Sequence, residues 1–238
     1  MSTFCLVHGA FHGSWCWQLL GAELESRGHR VVAPDLPCED PAAGATRYAE
    51  VVLAALAGSE PPVLVGHSLA GLTVPLVAAQ RPVRHLVYLC AFVPQPGRAM
   101  TDWMPEETDM SVPTDADIWP ESGDDGLMTW PPAKAIAALY PDCDPDIAAW
   151  AAGQLRRQSL TPHREPCPLD RLPDVPVSMV YGEDDLDASP AWLQRVARQR
   201  LGIEARGLPG GHSPFLARPA ALADLLEEAT AQTGAPAG

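Results

Sequence analysis

Gly66-His67-Ser68-Leu69-Ala70-Gly71 decides how this chain is read. The apolar run before it, Pro62-Val63-Leu64-Val65, reads as a short buried strand. The run after it, Leu72-Thr73-Val74-Pro75-Leu76-Val77-Ala78-Ala79, reads as a helix. Strand, small-residue turn around a central Ser, then helix is the context of a nucleophile elbow. So sharp a turn requires small neighbours. It holds the Ser68 hydroxyl clear of the backbone, over a helix N-terminus whose N–H groups can receive a developing oxyanion. The fifth position of the motif is Ala70 rather than Gly, with Gly71 following, and Ala still allows close helix–strand packing. The competing reading is an ordinary Gly/Ser turn capping a helix. Three other segments weigh against it.

The first is the strand Phe4-Cys5-Leu6-Val7 and the loop His8-Gly9-Ala10-Phe11-His12-Gly13-Ser14-Trp15, with a helix beginning near Trp15. Beside an elbow, a backbone N–H of such a loop supplies the second oxyanion donor; by position it is that of Ala10. His8 and His12 have no carboxylate or Cys at a matching ligand spacing, which argues against a metal. The second is Leu208-Pro209-Gly210-Gly211-His212-Ser213-Pro214-Phe215, between the short strand Ile203–Arg206 and a helix from about Arg218 to Thr230. A His on a Gly-rich loop can reach a nucleophile on a neighbouring strand, so His212 is the expected base. The other histidines are poorer candidates: His67 lies inside the elbow, His29 and His85 precede strands, and His163 sits in a Pro-rich stretch. The third is Val175–Tyr181, an apolar strand that runs into Gly182-Glu183-Asp184-Asp185. An acid is needed to orient the imidazole and stabilise its protonated form. Glu183, Asp184, Asp185 and Asp187 all compete. A spacing of three residues after the Gly selects Asp185, and capping of the helix 190–201 accounts for one or two of the others.

In the order Ser68, Asp185, His212 and in its strand contexts, the chain resembles the α/β-hydrolase superfamily. It looks most like the small branch that holds plant methylesterases, the salicylate-binding esterase and the hydroxynitrile lyases, with their bacterial relatives. The carrying residues are His8–Trp15, Gly66–Gly71 and Gly211-His212, and the resemblance covers about 1–92 and 172–235. It implies a triad of Ser68, Asp185 and His212, and an oxyanion hole from the N–H groups of Ala10 and Leu69. Some hydrolases draw the acid from the preceding strand end, but here that strand, His85–Ala91, ends without one. Two departures stand out. Plant members usually carry Asp before the catalytic His, where this chain has Gly211. The lyases carry a Lys just after it, where this chain has Ser213.

The alternation of strands (3–8, 30–34, 62–66, 85–91, 175–181, 203–207) with helices (15–27, 46–58, 69–80, 190–201, 218–231) predicts an α/β fold with a mostly parallel sheet of about six strands flanked by helices. The strands lack a two-residue alternation, as expected when both faces are covered. Because the first strand already leads to the loop of Ala10, the two leading antiparallel strands of larger hydrolases are expected to be missing. Pro75 is awkward inside the helix after the elbow, where it should remove the bond to the Gly71 carbonyl and bend the helix. Residues 93–171, rich in Pro and Asp, break the pattern and are expected to form an inserted helical cap on a core of 1–92 and 172–238, with helical turns at 132–140 and 144–157. Thr108–Asp125 is expected to be mobile. Met100, Trp103, Met104, Trp119, Leu127, Met128 and Trp130 are candidates to line an apolar pocket above Ser68, unless they form the cap's own core. Phe11, Trp103, Met128 and Trp130 are the expected substrate contacts.

The chain has 238 residues, the size of one domain with an insertion, and a formal charge of −14. That charge argues against nucleic acid and anionic membrane surfaces as partners. No stretch approaches the ~18 apolar residues of a membrane span, and the first strand follows the N-terminus directly, so a cytoplasmic protein without a signal peptide is expected. The six Cys show no C-x-x-C pair and read as reduced thiols. Lys134 is the only lysine among 16 basic residues, a composition like that of a high-GC bacterium. The expected function is a serine hydrolase that needs no metal or cofactor. It would act on a small apolar carboxylic ester, lactone or thioester through an acyl-enzyme on Ser68, with room for a homodimer. Two alternatives remain: a lyase using the same triad as acid and base, and a ligand receptor with a vestigial triad.

Overall fold

The computed structural model describes residues 1–114 and 116–231. Asp115 of the polar run and the tail 232–238 of the expected core lie outside the described residues. In chain order the elements are β1 (Thr3–Val7), a 3-10 turn at Ser14–Trp17, α1 (Gln18–Ser26), β2 (Arg30–Val32), α2 (Ala45–Ala55) and β3 (Val63–His67). A 3-10 turn (Ser68–Leu72) then leads into α3 (Val74–Ala78), followed by β4 (His85–Leu89) and α4 (Met100–Trp103). A two-stranded hairpin β5 (Glu121–Ser122) and β6 (Met128–Thr129) comes next, then α5 (Pro132–Leu139), α6 (Pro145–Gln154) and α7 (Thr161–Arg164). The chain closes with β7 (Val177–Gly182), α8 (Pro190–Val196), β8 (Arg206–Leu208), α9 (Pro214–Ala217) and α10 (Pro219–Ala231).

Six strands form one sheet in the order β2-β1-β3-β4-β7-β8, all pairs parallel. Successive strand residues point to opposite faces, and here both faces are covered. Cys5, Val7, Leu64, Leu86, Tyr88 and Met179 pack in one core with residues of α2, α3 and α8. Phe4, Leu6, Val63, Val65, Val87 and Val180 pack in the other with α1, α10 and the inserted α5 and α6. Double burial is why the strands read as continuous apolar runs.

Several boundaries moved for local reasons. The helix from Pro190 changes at Ala197–Leu201 to π-winding and ends at Gly202, whose φ of 69° is left-handed. The last strand therefore starts at Arg206 rather than Ile203. The hairpin β5–β6 was not foreseen in the sequence: each strand is two residues long, too short for an alternation to register. Pro75 does not bend a helix as expected. The segment after the elbow is first a 3-10 turn, and α3 begins at Val74, so Pro75 occupies a first helical turn where its missing N–H costs little.

The elbow turn packs directly under the chain leaving β4. A Cβ on Gly71 would collide with the Phe92 carbonyl, whereas Ala70, the fifth residue of the motif, is accommodated with 2% exposure. Gly71 is therefore a position at which no side chain fits. Gly71→Ala is expected to lower stability by about 1–3 kcal/mol through overpacking. Gly153→Ala, at an exposed position in α6 with open space around it, is expected to raise stability by up to about 1 kcal/mol. Urea denaturation of the two variants checks the opposite signs.

Candidate active site

Chain order reverses direction in the sheet at β1: β2 lies on one side of it and β3 on the other. Loops leaving β1 and β3 therefore diverge to opposite faces and open a crevice at their carboxyl ends, the usual place for a site in an open parallel sheet. Register sets the two loops level, with Val7 beside Gly66. The β1 loop approaches the elbow so closely that a Cβ on Gly9 would lie 2.8 Å from His67 Nδ1 and 2.9 Å from Ser68 Cβ.

Ser68 carries φ = 50°, a left-handed conformation that L-residues rarely adopt. Among the described residues only Phe11 (64°) and Cys90 (47°) share a positive φ without being Gly. Phe11 follows the expected oxyanion residue and Cys90 ends β4 beside the acid loop. Backbone strain is thus concentrated around one crevice, as at sites where the surrounding fold over-determines an unfavourable geometry. The Leu69 amide lies in the first turn of a helix, where an N–H has no intrahelical acceptor.

The loop of Ala10 is held by hydrogen bonds on every side. His12 Nδ1–H donates to the Ala10 carbonyl at 2.7 Å, and the Tyr140 hydroxyl donates to His12 Nε2 at 2.8 Å. The Phe11 N–H donates to Gln158 Oε1 at 3.3 Å, and the Phe11 carbonyl accepts the Arg156 N–H at 2.7 Å. His8 Nδ1–H donates to the Gly9 carbonyl at 2.9 Å and Nε2 accepts the Leu36 N–H at 3.0 Å. Both rings are therefore neutral struts. Burial, above all other influences, pushes His8 down to about 4 and His12 to about 3.

On the other side of Ser68, His212 Nδ1–H donates to Asp185 Oδ2 at 2.8 Å. Asp185 Oδ1 accepts the N–H groups of Asp187 and Ala188 at 2.9 and 3.0 Å, so the carboxylate is fixed at both oxygens. At the second ring nitrogen, Asp187 Oδ2 lies 3.5 Å from His212 Nε2. Burial alone would lower the His212 pKa. The carboxylates of Asp185 and Asp187, with the hydrogen bond to Asp185, outweigh it and raise the ring to about 9. His67 braces the base: its ring lies 4.7 Å from that of His212, and its Nε2–H donates to the His212 carbonyl at 3.0 Å. Burial, then the neighbouring His212 and His12, hold His67 well below the usual histidine range.

Cys90 Sγ, an Asp185 oxygen and a His212 ring nitrogen lie within 4.8 Å of one another, the one candidate metal set among the described residues. Its members are already committed to each other. The Asp185 oxygens are taken as described, and burial followed by the Asp185 charge keeps the Cys90 thiol protonated.

Above Ser68 lies a cavity of about 360 Å³, floored by Ala10, Ser68, Leu69 and His212 and walled chiefly by Met100, Met104, Met110, Met128, Trp119 and Trp130. Of the expected substrate contacts, Phe11, Met128 and Trp130 line it, with the Phe11 and Trp130 rings edge-to-face at 5.1 Å. Trp103 does not. It is the last residue of α4, fully buried and stacked on Trp192 of α8, with the Arg200 guanidinium carbon 4.7 Å from its ring centre, and it belongs to the core on the α2, α3 and α8 face of the sheet. Leu127 is also absent from the wall. Sequence reasoning missed the bracing roles of His67, His12, Tyr140 and Gln158, and the contact of Asp187 with the base. The ligand-free pattern of His8 and His12 carried a signal, since a buried His without metal partners needs hydrogen bonds.

A profile of the alpha/beta hydrolase family matches residues 6–225. The chain is similar to a pyrethroid hydrolase of Sphingobium wenxiniae, 28% identical with 96% of this chain and 87% of that protein covered. It is also similar to salicylic acid-binding protein 2 of Nicotiana tabacum, 29% identical over 66% of this chain and 67% of that one. In fold it resembles the crystal structure of a pyrethroid hydrolase from Sphingobium faniae, with a TM-score of 0.77, 22% identity and 97% of each chain covered.

Proposed function

The chain belongs to the alpha/beta hydrolase family and is a hydrolase, and within that class we propose that it cleaves a neutral, largely apolar carboxylic ester through an acyl-enzyme on Ser68. The observation that carries this reading is the convergence of a strained Ser68 and the Asp185–His212 pair on the floor of one apolar cavity. His212 Nε2 takes the Ser68 proton as Oγ attacks the ester carbonyl. The N–H groups of Ala10 and Leu69 receive the oxyanion, a contribution of about 2.7–4 kcal/mol for each such donor. The imidazolium, held by Asp185, then protonates the leaving alkoxide, and His212 activates the water that releases the acid. Lactones and thioesters present the same acyl carbon and fall within this reading.

Relatives named as pyrethroid and carbendazim-hydrolysing enzymes and as methylesterases support ester cleavage. Four methionines in the wall support an apolar substrate of adaptable shape, since thioether side chains fill irregular gaps. Residues 93–171 act as the cap in this reading, because they supply most of that wall. Among the described residues no helix is long and apolar enough to cross a membrane.

Ser68→Ala is expected to abolish both turnover of short p-nitrophenyl esters and labelling by a serine-directed phosphonate, read by intact mass. Wild-type-like turnover in that variant would overturn the nucleophile assignment. Asp185→Asn should lower turnover by about 10⁴-fold, as the matching change does in a serine protease. Asp184→Asn, at an exposed position, should do far less. Because His212 is raised to about 9, most of it is protonated at pH 7 and cannot act as a base. The rate kcat/KM should therefore climb from pH 7 towards 9, and a profile flat over that range would contradict this charge state.

Hydrolysis and the lyase reaction differ in the anion they must hold. Residue 213, where the lyases carry Lys, is a fully buried Ser, and Lys134 is paired with Asp117 at 2.7 Å and Glu121 at 2.8 Å. Among the described residues that line the cavity a departing cyanide would find no lysine or arginine, whereas a carbonyl oxyanion still meets two N–H groups. Ester turnover with negligible cyanide release from mandelonitrile is expected. Cyanide release above the Ser68→Ala background without ester turnover would favour the lyase.

A further inference from the structure

Asp187 enters the site on the same loop as Asp185 but serves the other side of the base. Asp185 holds Nδ1, while Asp187 Oδ2 lies 3.5 Å from Nε2, the nitrogen that must exchange a proton with Ser68. The Asp187 N–H donates to Asp185 Oδ1 at 2.9 Å, so the two carboxylates are placed as one rigid turn. Asp187 is the one acidic residue of the cavity wall among the described residues, and its side chain is 18% exposed.

The other titratable groups facing the ring carry no competing charge. His67 at the end of β3 and His12 in the Ala10 loop are neutral through burial, and Cys90 at the end of β4 is a protonated thiol for the same reason. The Arg218–Asp142 pair packs at Gly210, two residues from the ring, and neutralises itself. The protonated imidazole is therefore flanked by two carboxylates, one at each nitrogen.

Given Ser68 as nucleophile and His212 as base, we propose that Asp187 is a positioning residue: it captures the protonated ring through Nε2–H and withholds it from Ser68 until that proton is lost. A ring N–H can be directed at one acceptor, and a charge-assisted bond to a carboxylate is stronger than one to a hydroxyl. In turnover the proton balance is closed without Asp187. One proton passes from Ser68 Oγ to Nε2 and from Nε2 to the leaving alkoxide, and Asp187 neither gains nor loses one. Asp187 thus makes the resting enzyme pH-gated. An opposite charge within ~4–6 Å typically moves a titration by 1–3 pH units.

The test follows the His212 ring by NMR in protein labelled selectively at histidine, from pH 5 to 10, in wild type, Asp187→Asn, Asp187→Ala and Asp184→Asn. The His212 signal is assigned by its loss in His212→Asn. Parallel phosphonate labelling of Ser68 reports the free base. The His212 midpoint should fall by about one pH unit or more in both Asp187 variants and stay put in Asp184→Asn. Ser68 labelling at pH 6–7 should then quicken by about tenfold. A midpoint unchanged in both folded Asp187 variants overturns the proposal, whatever happens to rates. A midpoint that falls in a protein whose Ser68 is never labelled would support the capture while overturning the hydrolase reading.

Discussion

The contact between the loop after β1 and the elbow after β3 governs the rest of the site. Parallel pairing brings Val7 level with Gly66, and Gly9 then passes within a side chain's width of His67 and Ser68. That approach brings the loop of Ala10 alongside the turn of Ser68 and Leu69, and all three residues line one cavity. It also presses His67 against His212, so that the loop carrying His212 is seated by the elbow residue next to Ser68. Positive φ at Phe11, Ser68 and Cys90 is the local cost of bringing three strand ends so close, and double-sided packing of the sheet sustains it.

Charge in the crevice is sorted by the same packing. Five histidines lie in or beside it; burial keeps His163 neutral, and His8, His12 and His67 are likewise buried without an ion pair to a carboxylate, so desolvation keeps them neutral. Only His212 meets carboxylates, and it alone is raised. A site crowded with imidazoles thus contains a single ring whose proton matters at physiological pH. His8, His12 and His67 work through hydrogen bonds whose directions fix their tautomers.

The sequence revealed the elements that depend on local pattern and concealed those that depend on contact. Ser68, Asp185 and His212 could be read because each follows an apolar run and a Gly at a regular spacing, and chain geometry alone carries them to one sheet edge. Gly71 was seen as part of a motif, but its necessity comes from the Phe92 carbonyl, a neighbour twenty-odd positions away that no local pattern announces. Pro75 looked like a defect because a continuous helix was assumed; the break into a 3-10 turn makes it a helix start. Trp103 and Trp130 are both Trp in the same Pro-rich insertion. One packs from α4 onto Trp192 of α8 and the other faces the cavity, a distinction set by tertiary packing and not by composition.

Residues between α5 and Gln158, with Trp130, are tied directly to the loop after β1. Tyr140 at the end of α5 holds His12, Gln158 and Arg156 hold Phe11, and Trp130 packs on the Phe11 ring. All four partners come from the segment that also walls the cavity. The backbone on either side of Ala10 is therefore held by the same segment that walls the cavity. On the proposed reading, in which the Ala10 N–H receives the oxyanion, a substitution among residues 128–158 that reshapes the cavity also shifts that donor. Loss of a few tenths of an ångström there weakens a bond formed only in the transition state, so it depresses kcat and not merely binding. On that reading, changing what the enzyme accepts without changing how fast it reacts calls for substitutions at Met100, Met104 and Met110, which line the cavity from segments that make none of these bonds to the loop.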